Sequence, residues 1–539
     1  MADTTFGAAL AATAAAHGAS LAVVCGARRL SYAELERESA RLASGLLKLG
    51  VVHGEHVGIW MSTRAEWIVA FCACARIGAV VVPINTRYKV HEAEYVIAHA
   101  DVKLLICERQ MWDSDSYQML LSLCPELATQ AGQQLDCARF PRLRRVAMLG
   151  GDAAAGTMPY GDLMQVEPDA AALAAAQDRV RESDPLLICF TSGSTGRPKG
   201  ALHAHRTLHH SRRIGEVLRM GPEDVLLANW PMYHVAGLFI VLVPAVLFGS
   251  AMVLFPHWSG DEALDVIERE RVSIIGGIST HYFDLVDAMR RRARDLSSVK
   301  AAYVGGATLS SETFGNIVGT LGLKRLLSTY GMTENTVSTT FNGWDDAHDV
   351  CRQNKAPVIT SGKVMVVDLS TQQELPAGEE GEIWCSGPTL MLGYYKQEEE
   401  TRKTITGDGW LRTGDLGRFD AQGNLQVTGR IKDIVKVGGT NVSPAEVENL
   451  LMANPAVEFA VVVGVPDDRL GEVTYAYVKT AGAAALSKDA LIADCRARMA
   501  GYKVPRHVHF MDEFPRLSTG KIDRKQLGDA ARAEVAQGG

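Results

Sequence analysis

No stretch of about 18 uncharged apolar residues occurs in this 539-residue chain, so no membrane-spanning helix is expected. The nearest approach, Phe239 to Phe255, is broken by Pro244 and Gly249 and reads as buried core. A basic region ahead of the Ala-rich N-terminal stretch is missing, which argues against a signal peptide. The closing Ala-Gln-Gly-Gly matches no address signal. Positive charge is not in excess either: 55 Lys and Arg stand against 62 Asp and Glu, a net charge of −7. A nucleic-acid surface needs a basic stripe, so no nucleic-acid partner is expected. The ten cysteines lack zinc-knuckle spacing, Cys72-Ala-Cys74 included, and read as reduced, buried thiols of a cytoplasmic protein. Repeats and low-complexity linkers are absent.

What is present is an alternation of apolar runs and amphipathic stretches, the pattern of layered α/β structure. Val57–Trp60, Val80–Pro83, Lys103–Ile106 and Leu186–Phe190 read as strands. Residues 31–49 read as a helix, with Leu42, Leu46 and Leu49 on one face. Residues 108–145 look like an irregular surface excursion, and 165–182 like an Ala-rich surface helix. The length exceeds one ordinary core. We therefore expect a large domain over 1–431 and a small α+β domain over 432–539. In the latter, Pro444 opens a helix, strands follow at Val457–Val465 and Val473–Lys479, and a helix spans Ser487–Met499.

The most informative segment runs from Phe190 to Gly200. An apolar strand enters a loop with four hydroxyl residues, three glycines and a lysine. Gly193 and Gly196 let the backbone turn sharply and aim N–H groups at one point. Thr191, Ser192, Ser194 and Thr195 can each donate a hydrogen bond, and Lys199 adds positive charge. That set suits a polyphosphate. A Walker A loop is excluded, because Pro198 stands where its second Gly belongs.

Thr191 to Gly200 resembles the phosphate-binding signature of the adenylate-forming superfamily, in its acyl-CoA synthetase branch. The resemblance extends over roughly Leu30 to Leu527 through further motifs in the family's order. It implies an α/β fold: a large N-terminal domain of layered subdomains, with a β-barrel-like part, and a mobile α+β C-terminal domain. It also implies ATP, Mg2+ and coenzyme A as cofactors or substrates.

Residue by residue, the resemblance implies the following. Tyr330-Gly-Met-Thr-Glu334 lies beside the α-phosphate, with Thr333 bonding it, Glu334 holding Mg2+, and Thr329 to Met332 (Gly331 among them) lining the nucleotide. Val304-Gly-Gly-Ala-Thr308 places Gly305, Gly306 and Ala307 against adenine and the acyl pocket. Asp415 holds the ribose diol, helped by Arg430. Lys432 is the hinge about which the C-terminal domain turns. Gly438 and Gly439 line the entry of the thiol, and Lys436 serves the second half-reaction. Lys521, in Leu517-Ser-Thr-Gly-Lys, bridges the acyl carboxylate and the α-phosphate. His234, in Pro231-Met-Tyr-His, gates the route between adenylate and thiol.

Ala236, Leu238, Ile278 and Ser279 are candidates for the acyl pocket, together with Gly306, Ala307, Gly331 and Met332. They include no Lys or Arg to meet a second carboxylate and no acid to meet an amino group. The expected activity is therefore ATP-dependent acyl-CoA ligation of an apolar monocarboxylic acid (medium-chain, alicyclic or aryl) through acyl-AMP. Loading of a separate carrier protein is the alternative, and a silent nucleotide-binding protein a remote one. A homodimer is left open. Two departures from the family's pattern stand out: no Gly-Arg-Pro follows Glu334, where Asn354-Lys-Ala-Pro stands, and Gly276 to His281 lacks a proline.

Overall fold

The computed structural model describes residues 5–538 apart from 113, 131–133, 151–153, 192–197, 307–308, 310, 354, 482–485 and 518–520. Two eight-stranded sheets form the bulk of the molecule. The first contains a parallel block in the order Leu326–Tyr330, Ala301–Gly305, Ile274–Gly277, Val225–Ala228, Ala251–Leu254 and Leu21–Cys25. The second runs from Gly393–Tyr394 through Lys199–Ala204, Pro185–Thr191, Val80–Pro83, His56–Trp60, Leu104–Glu108 and Arg145–Leu149 to Met158–Pro159. Its strands are parallel from Pro185–Thr191 onward.

One large apolar core includes residues of both sheets and the helices Tyr32–Lys48 and Ala65–Arg76. The second helix is buried on all sides, with eleven of its twelve residues inside. That burial explains its near-continuous apolar sequence. Ser31 starts the first helix as expected: its Oγ accepts from Glu34 N at 3.3 Å and Glu34 Oε2 accepts from Ser31 N at 2.9 Å. This reciprocal cap satisfies two otherwise orphaned backbone donors.

A third sheet is antiparallel, in the order Lys355–Ala356, Leu425–Arg430, Trp410–Phe419, Gly381–Ser386, Lys363–Val367. Its ends do not meet, so the barrel-like part expected from sequence is an open sheet, and no closed barrel is present among the described residues. A second correction concerns residues 108–145. Although short of regular structure, the segment is packed: Tyr117, Leu120, Leu123, Leu127, Leu135, Phe140 and Leu143 are buried in a second core. Its helix is short, Ser116–Leu123, so the periodic signal was too brief to read.

The C-terminal part has strands Val457–Asp467 and Gly471–Thr480 at its centre, paired antiparallel. Alternation along them serves two cores. Ala460, Val462, Ala476 and Val478 face one, and Val461, Val463, Tyr475 and Tyr477 the other, as a period of two requires. Helices Pro444–Met452 and Lys488–Arg498 fall where they were expected. A tight turn, Ile431–Asp433, joins this part to the third sheet. Ser443 Oγ donates to Thr428 O across the junction at 3.0 Å. The ring of Phe459 meets Phe283 of the large part at 5.7 Å.

Candidate active site

Parallel strands deliver their following loops to one edge, and ligands of open α/β sheets bind in the crevice outside those carboxyl ends. In the first sheet, Gly277-Ile278, Gly305-Gly306 and Tyr330-Gly331 end three neighbouring strands. Gly306 has φ +79°, and a Cβ there would lie 3.1 Å from Lys521 Cε and 3.2 Å from Ile278 Cγ2. The missing side chain is thus what lets the Lys521 chain, arriving from the C-terminal part, lie against the strand end.

Beside it, Asp415 is buried. Its Oδ2 accepts from the Tyr330 hydroxyl at 2.8 Å, and its Oδ1 is ion-paired with Arg430 Nε at 3.0 Å. Asp415 and Arg430 face each other in strand register. Each carboxylate oxygen still has a second lone pair with which to accept from a diol. Burial, then Arg430, hold the Lys521 amine below its ordinary pKa, while Asp415 opposes them. His234 accepts at Nδ1 from Ala236 N at 3.2 Å. Burial, then the Lys521 charge, push its pKa down to about 3, so the imidazole is neutral at neutral pH.

Thr333 and Glu334 sit on a buried turn, Thr333–Asn335. The turn depends on strained backbone: Thr336 and Val337 have φ +47° and +68°, a conformation unfavourable for a β-branched residue. Buried hydrogen bonds hold it, among them Asn335 Nδ2 to Thr339 Oγ1 at 3.0 Å and Thr360 Oγ1 with Thr389 Oγ1 at 2.8 Å. Gly331 is obligatory here, because a Cβ would fall 1.8 Å from Val337 O. Glu334 Oε1 accepts from the Tyr394 hydroxyl at 2.7 Å.

Lys199 starts a strand opposite Thr191. Its Nζ lies 5.1 Å from the centre of the Tyr394 ring and is ion-paired with Glu400. Sequence reading missed both Tyr394 and Glu400. The signal available was Gly393-Tyr394-Tyr395 followed by the Glu398-Glu399-Glu400 run. It also missed Asn229 and His281, whose side chains meet at 3.1 Å beyond the ends of Val225–Ala228 and Ile274–Gly277.

Ala236, Leu238, Ile278 and Ser279 are all buried near this edge. Gly237 starts a wide-turn helix, Gly237–Leu242, and a Cβ on it would lie 2.5 Å from Pro231 O. Met332 packs against the core of the third sheet, and Thr329 Oγ1 donates to Thr340 O at 2.8 Å. Ser192, Gly193, Ser194, Thr195, Gly196 and Ala307 lie outside the described residues.

Lys432, Lys436, Gly438 and Gly439 stand apart. All are exposed, and no hydrogen bond or ion pair among the described residues ties them to Asp415 or Lys521. Lys436 N donates to Glu472 Oε2 at 2.8 Å, and both glycines have positive φ in the turn before Thr440.

Comparison with known proteins gives this crevice its family. The model of the AMP-binding enzyme family matches residues 10–395, and that of the AMP-binding enzyme C-terminal domain matches 446–521. The chain belongs to the AMP-binding enzyme family. Among its relatives is a methyl-dioxo-octahydroindenyl-propanoyl:CoA ligase of Rhodococcus jostii, 33% identical over 97% of this chain and 98% of the relative. The mitochondrial medium-chain acyl-CoA ligase of Rattus norvegicus is 30% identical over 93% of this chain and 82% of its own. A crystal structure of an anthranilate CoA ligase in complex with anthranoyl-AMP superposes with a TM-score of 0.84 at 26% identity, covering 99% of this chain and 98% of that one. No helix among the described residues is long and apolar enough to cross a membrane.

Proposed function

We propose that the protein is an AMP-forming acid–thiol ligase that converts an apolar monocarboxylic acid to its CoA thioester through an acyl-adenylate. The observation that carries this reading is the approach of Lys521 to the strand end at Gly306, beside Asp415, Arg430 and His234. A cation carried by one part of the chain meets a diol-binding carboxylate carried by another. The relatives act on medium-chain and alicyclic acids, and the buried, uncharged Ala236, Leu238, Ile278 and Ser279 fit such acyl groups.

In the first half-reaction the substrate carboxylate attacks the α-phosphorus of ATP, acyl-AMP forms and pyrophosphate leaves. The carboxylate is already a nucleophile, so the chain's task is to position it and to neutralise charge. Lys521 spans the carboxylate and the α-phosphate. Lys199 faces the outer phosphates, with Thr191, Ser192, Gly193, Ser194, Thr195 and Gly196. Asp415, braced by Tyr330 and Arg430, takes the ribose hydroxyls. Glu334 offers hard carboxylate oxygens, the donor type Mg2+ prefers. Bound there, Mg2+ would lend charge to the phosphates, while Tyr394 orients the carboxylate that holds it.

The C-terminal part (432–539) then turns about Lys432, withdrawing Lys521 and bringing Lys436, Gly438 and Gly439 to the crevice. Their exposure in the present arrangement fits that second role. The CoA thiol attacks the acyl carbonyl and AMP leaves. His234, neutral beside this route, is its gate. The ten free cysteines, all but Cys25 buried, favour a reducing, cytoplasmic compartment.

The test is pyrophosphate release with Mg·ATP over a panel of acids, with and without CoA. Turnover that needs an apolar monoacid and CoA together supports the ligase. Adenylate formation without CoA-dependent turnover supports carrier loading. Inactivity with every acid overturns both.

A further inference from the structure

We infer that Cys124, Glu126 and Cys137 form a binding site for a borderline-soft divalent cation of the zinc class, remote from the crevice. Their ligand atoms (two Sγ and a carboxylate oxygen) all lie within 4.8 Å of one another. Ligand atoms around a tetrahedral zinc, with bonds of about 2.0–2.3 Å, stand roughly 3.5–3.8 Å apart. Sharing one ion therefore asks the three groups to close by at most about 1 Å per pair.

Both cysteines are buried, at 2% and 1% exposure. Glu126 Oε2 is likewise withdrawn from solvent, with the Cys124 and Cys137 thiols as donors beside it. Such an oxygen is held by a donor or a cation, and a divalent ion that displaces the two thiol protons would supply the latter.

The local chain builds the site from short-range contacts. Cys124 closes the helix Ser116–Leu123, with its N donating to Leu120 O at 2.8 Å. Pro125–Ala128 then makes a tight turn that carries Glu126. Cys137 is held by a turn in which Phe140 N donates to its carbonyl at 3.0 Å. Around the three lie Leu123, Leu127, Leu135, Phe140 and Leu143, all buried. This is the segment that is packed without much regular structure. An ion bridging Cys124 and Cys137 would close its loop, as metal clips do in small domains.

Binding exchanges two thiol protons for one divalent ion. With the Glu126 carboxylate, the occupied site carries one net negative charge. Arg139, whose charge already acts on Glu126, lies at hand to balance it. Because binding releases the thiol protons, uptake strengthens with rising pH. A fourth position is left for water, as in open three-ligand sites.

The segment joins the second sheet at Arg145–Leu149, five strands from Lys199–Ala204. At about 4.8 Å per strand that is roughly 24 Å. The inference thus stands or falls apart from the proposed ligase activity.

The test uses the full chain, stripped with chelator and dialysed against Zn2+, then against Co2+ as a spectroscopic probe. Wild type should retain about one equivalent of zinc that Cys124→Ser/Cys137→Ser loses. Cobalt should give thiolate charge-transfer absorption in wild type alone. Zinc should raise the thermal midpoint of wild type, reversibly with chelator, and leave that of the double variant unmoved. Glu126→Gln, which keeps the thiols and their packing, should weaken uptake at least tenfold and serves if the double variant does not fold. Equal zinc content in wild type and variants, no cobalt–thiolate band, or a Cys124–Cys137 disulfide in non-reducing peptide maps would overturn the inference.

Discussion

Lowering the pH from 7.5 to 5.5 should destabilise the large part through histidines locked inside it as neutral rings. Burial lowers His203, His205, His210 and His281 to about 4, and His234 to about 3, from 6.5. Their folded pKa values lie below the unfolded one, so between these values the unfolded chain binds more protons. The stability they permit is intact above pH 6.5 and is lost as pH falls toward 4. At pH 5.5 each unfolded imidazole gains about 1.4 kcal/mol from protonation that its folded counterpart forgoes, and the five together roughly 7 kcal/mol. With an unfolding entropy of about 2 cal/mol/K per residue, that is a fall of about 6 °C in the midpoint. Asp101, Asp184 and Glu270 have pKa values lowered below the ordinary carboxylate range, so they stay charged throughout this window. Asp284, raised by burial, opposes the trend slightly. Differential scanning fluorimetry at half-unit pH steps, at constant ionic strength, measures the effect. A midpoint flat between pH 7.5 and 5.5 would refute the assignment of these rings as buried and neutral.

Lys521→Ala should reduce acid-dependent pyrophosphate release about 100-fold or more, the cost of losing a charge aimed at the transition state, with an unchanged far-UV spectrum. It should leave thioester formation from preformed acyl-AMP largely intact, and wild-type pyrophosphate release would remove Lys521 from the first half-reaction. Glu400→Gln frees Lys199 from its ion pair, so the KM for ATP should fall several-fold with kcat little changed; a raised KM would mean that Glu400 helps to place Lys199 rather than competing for it. Gly306→Ala combines a φ of +79° with a Cβ 3.1 Å from Lys521 Cε. It should slow adenylation at least tenfold while the thioester step from acyl-AMP is affected less, and equal losses in both steps would point to a general folding defect.

The parts of the fold that were legible are those whose signal is local. Ser31 followed by Glu34 announces a helix start. The alternation around Ala460–Val463 announces a strand with two apolar faces, and both appear within a residue or two of their expected bounds. Residues 108–145 failed for the converse reason. Their burial comes from packing against Arg145–Leu149 and neighbouring strands, and no eight-residue helix carries a period long enough to reveal that. The open third sheet failed similarly, because closure depends on whether the edge strands Lys355–Ala356 and Lys363–Val367 find each other. Short strands do not encode their non-neighbours.

The candidate site divides along the same line, and the division bears on how the crevice works. Lys199, Glu334, Asp415 and Lys521 were legible because each sits in a contiguous motif with its own glycines and hydroxyls. Tyr394 and Glu400 were not, for what they do is set by partners 195 to 201 positions upstream in the sequence for Lys199 and 60 for Glu334. Yet Tyr394 touches both, with its hydroxyl on Glu334 and its ring beside Lys199. Glu400 meanwhile gives Lys199 an anionic partner. A buried cation without such a partner would bear a desolvation penalty in the free enzyme. An ATP that replaces the partner recovers that charge pairing with its own phosphates. On the proposed reading, affinity for nucleotide is then the difference between two anions competing for Lys199, and it can be tuned at Glu400, on a surface helix.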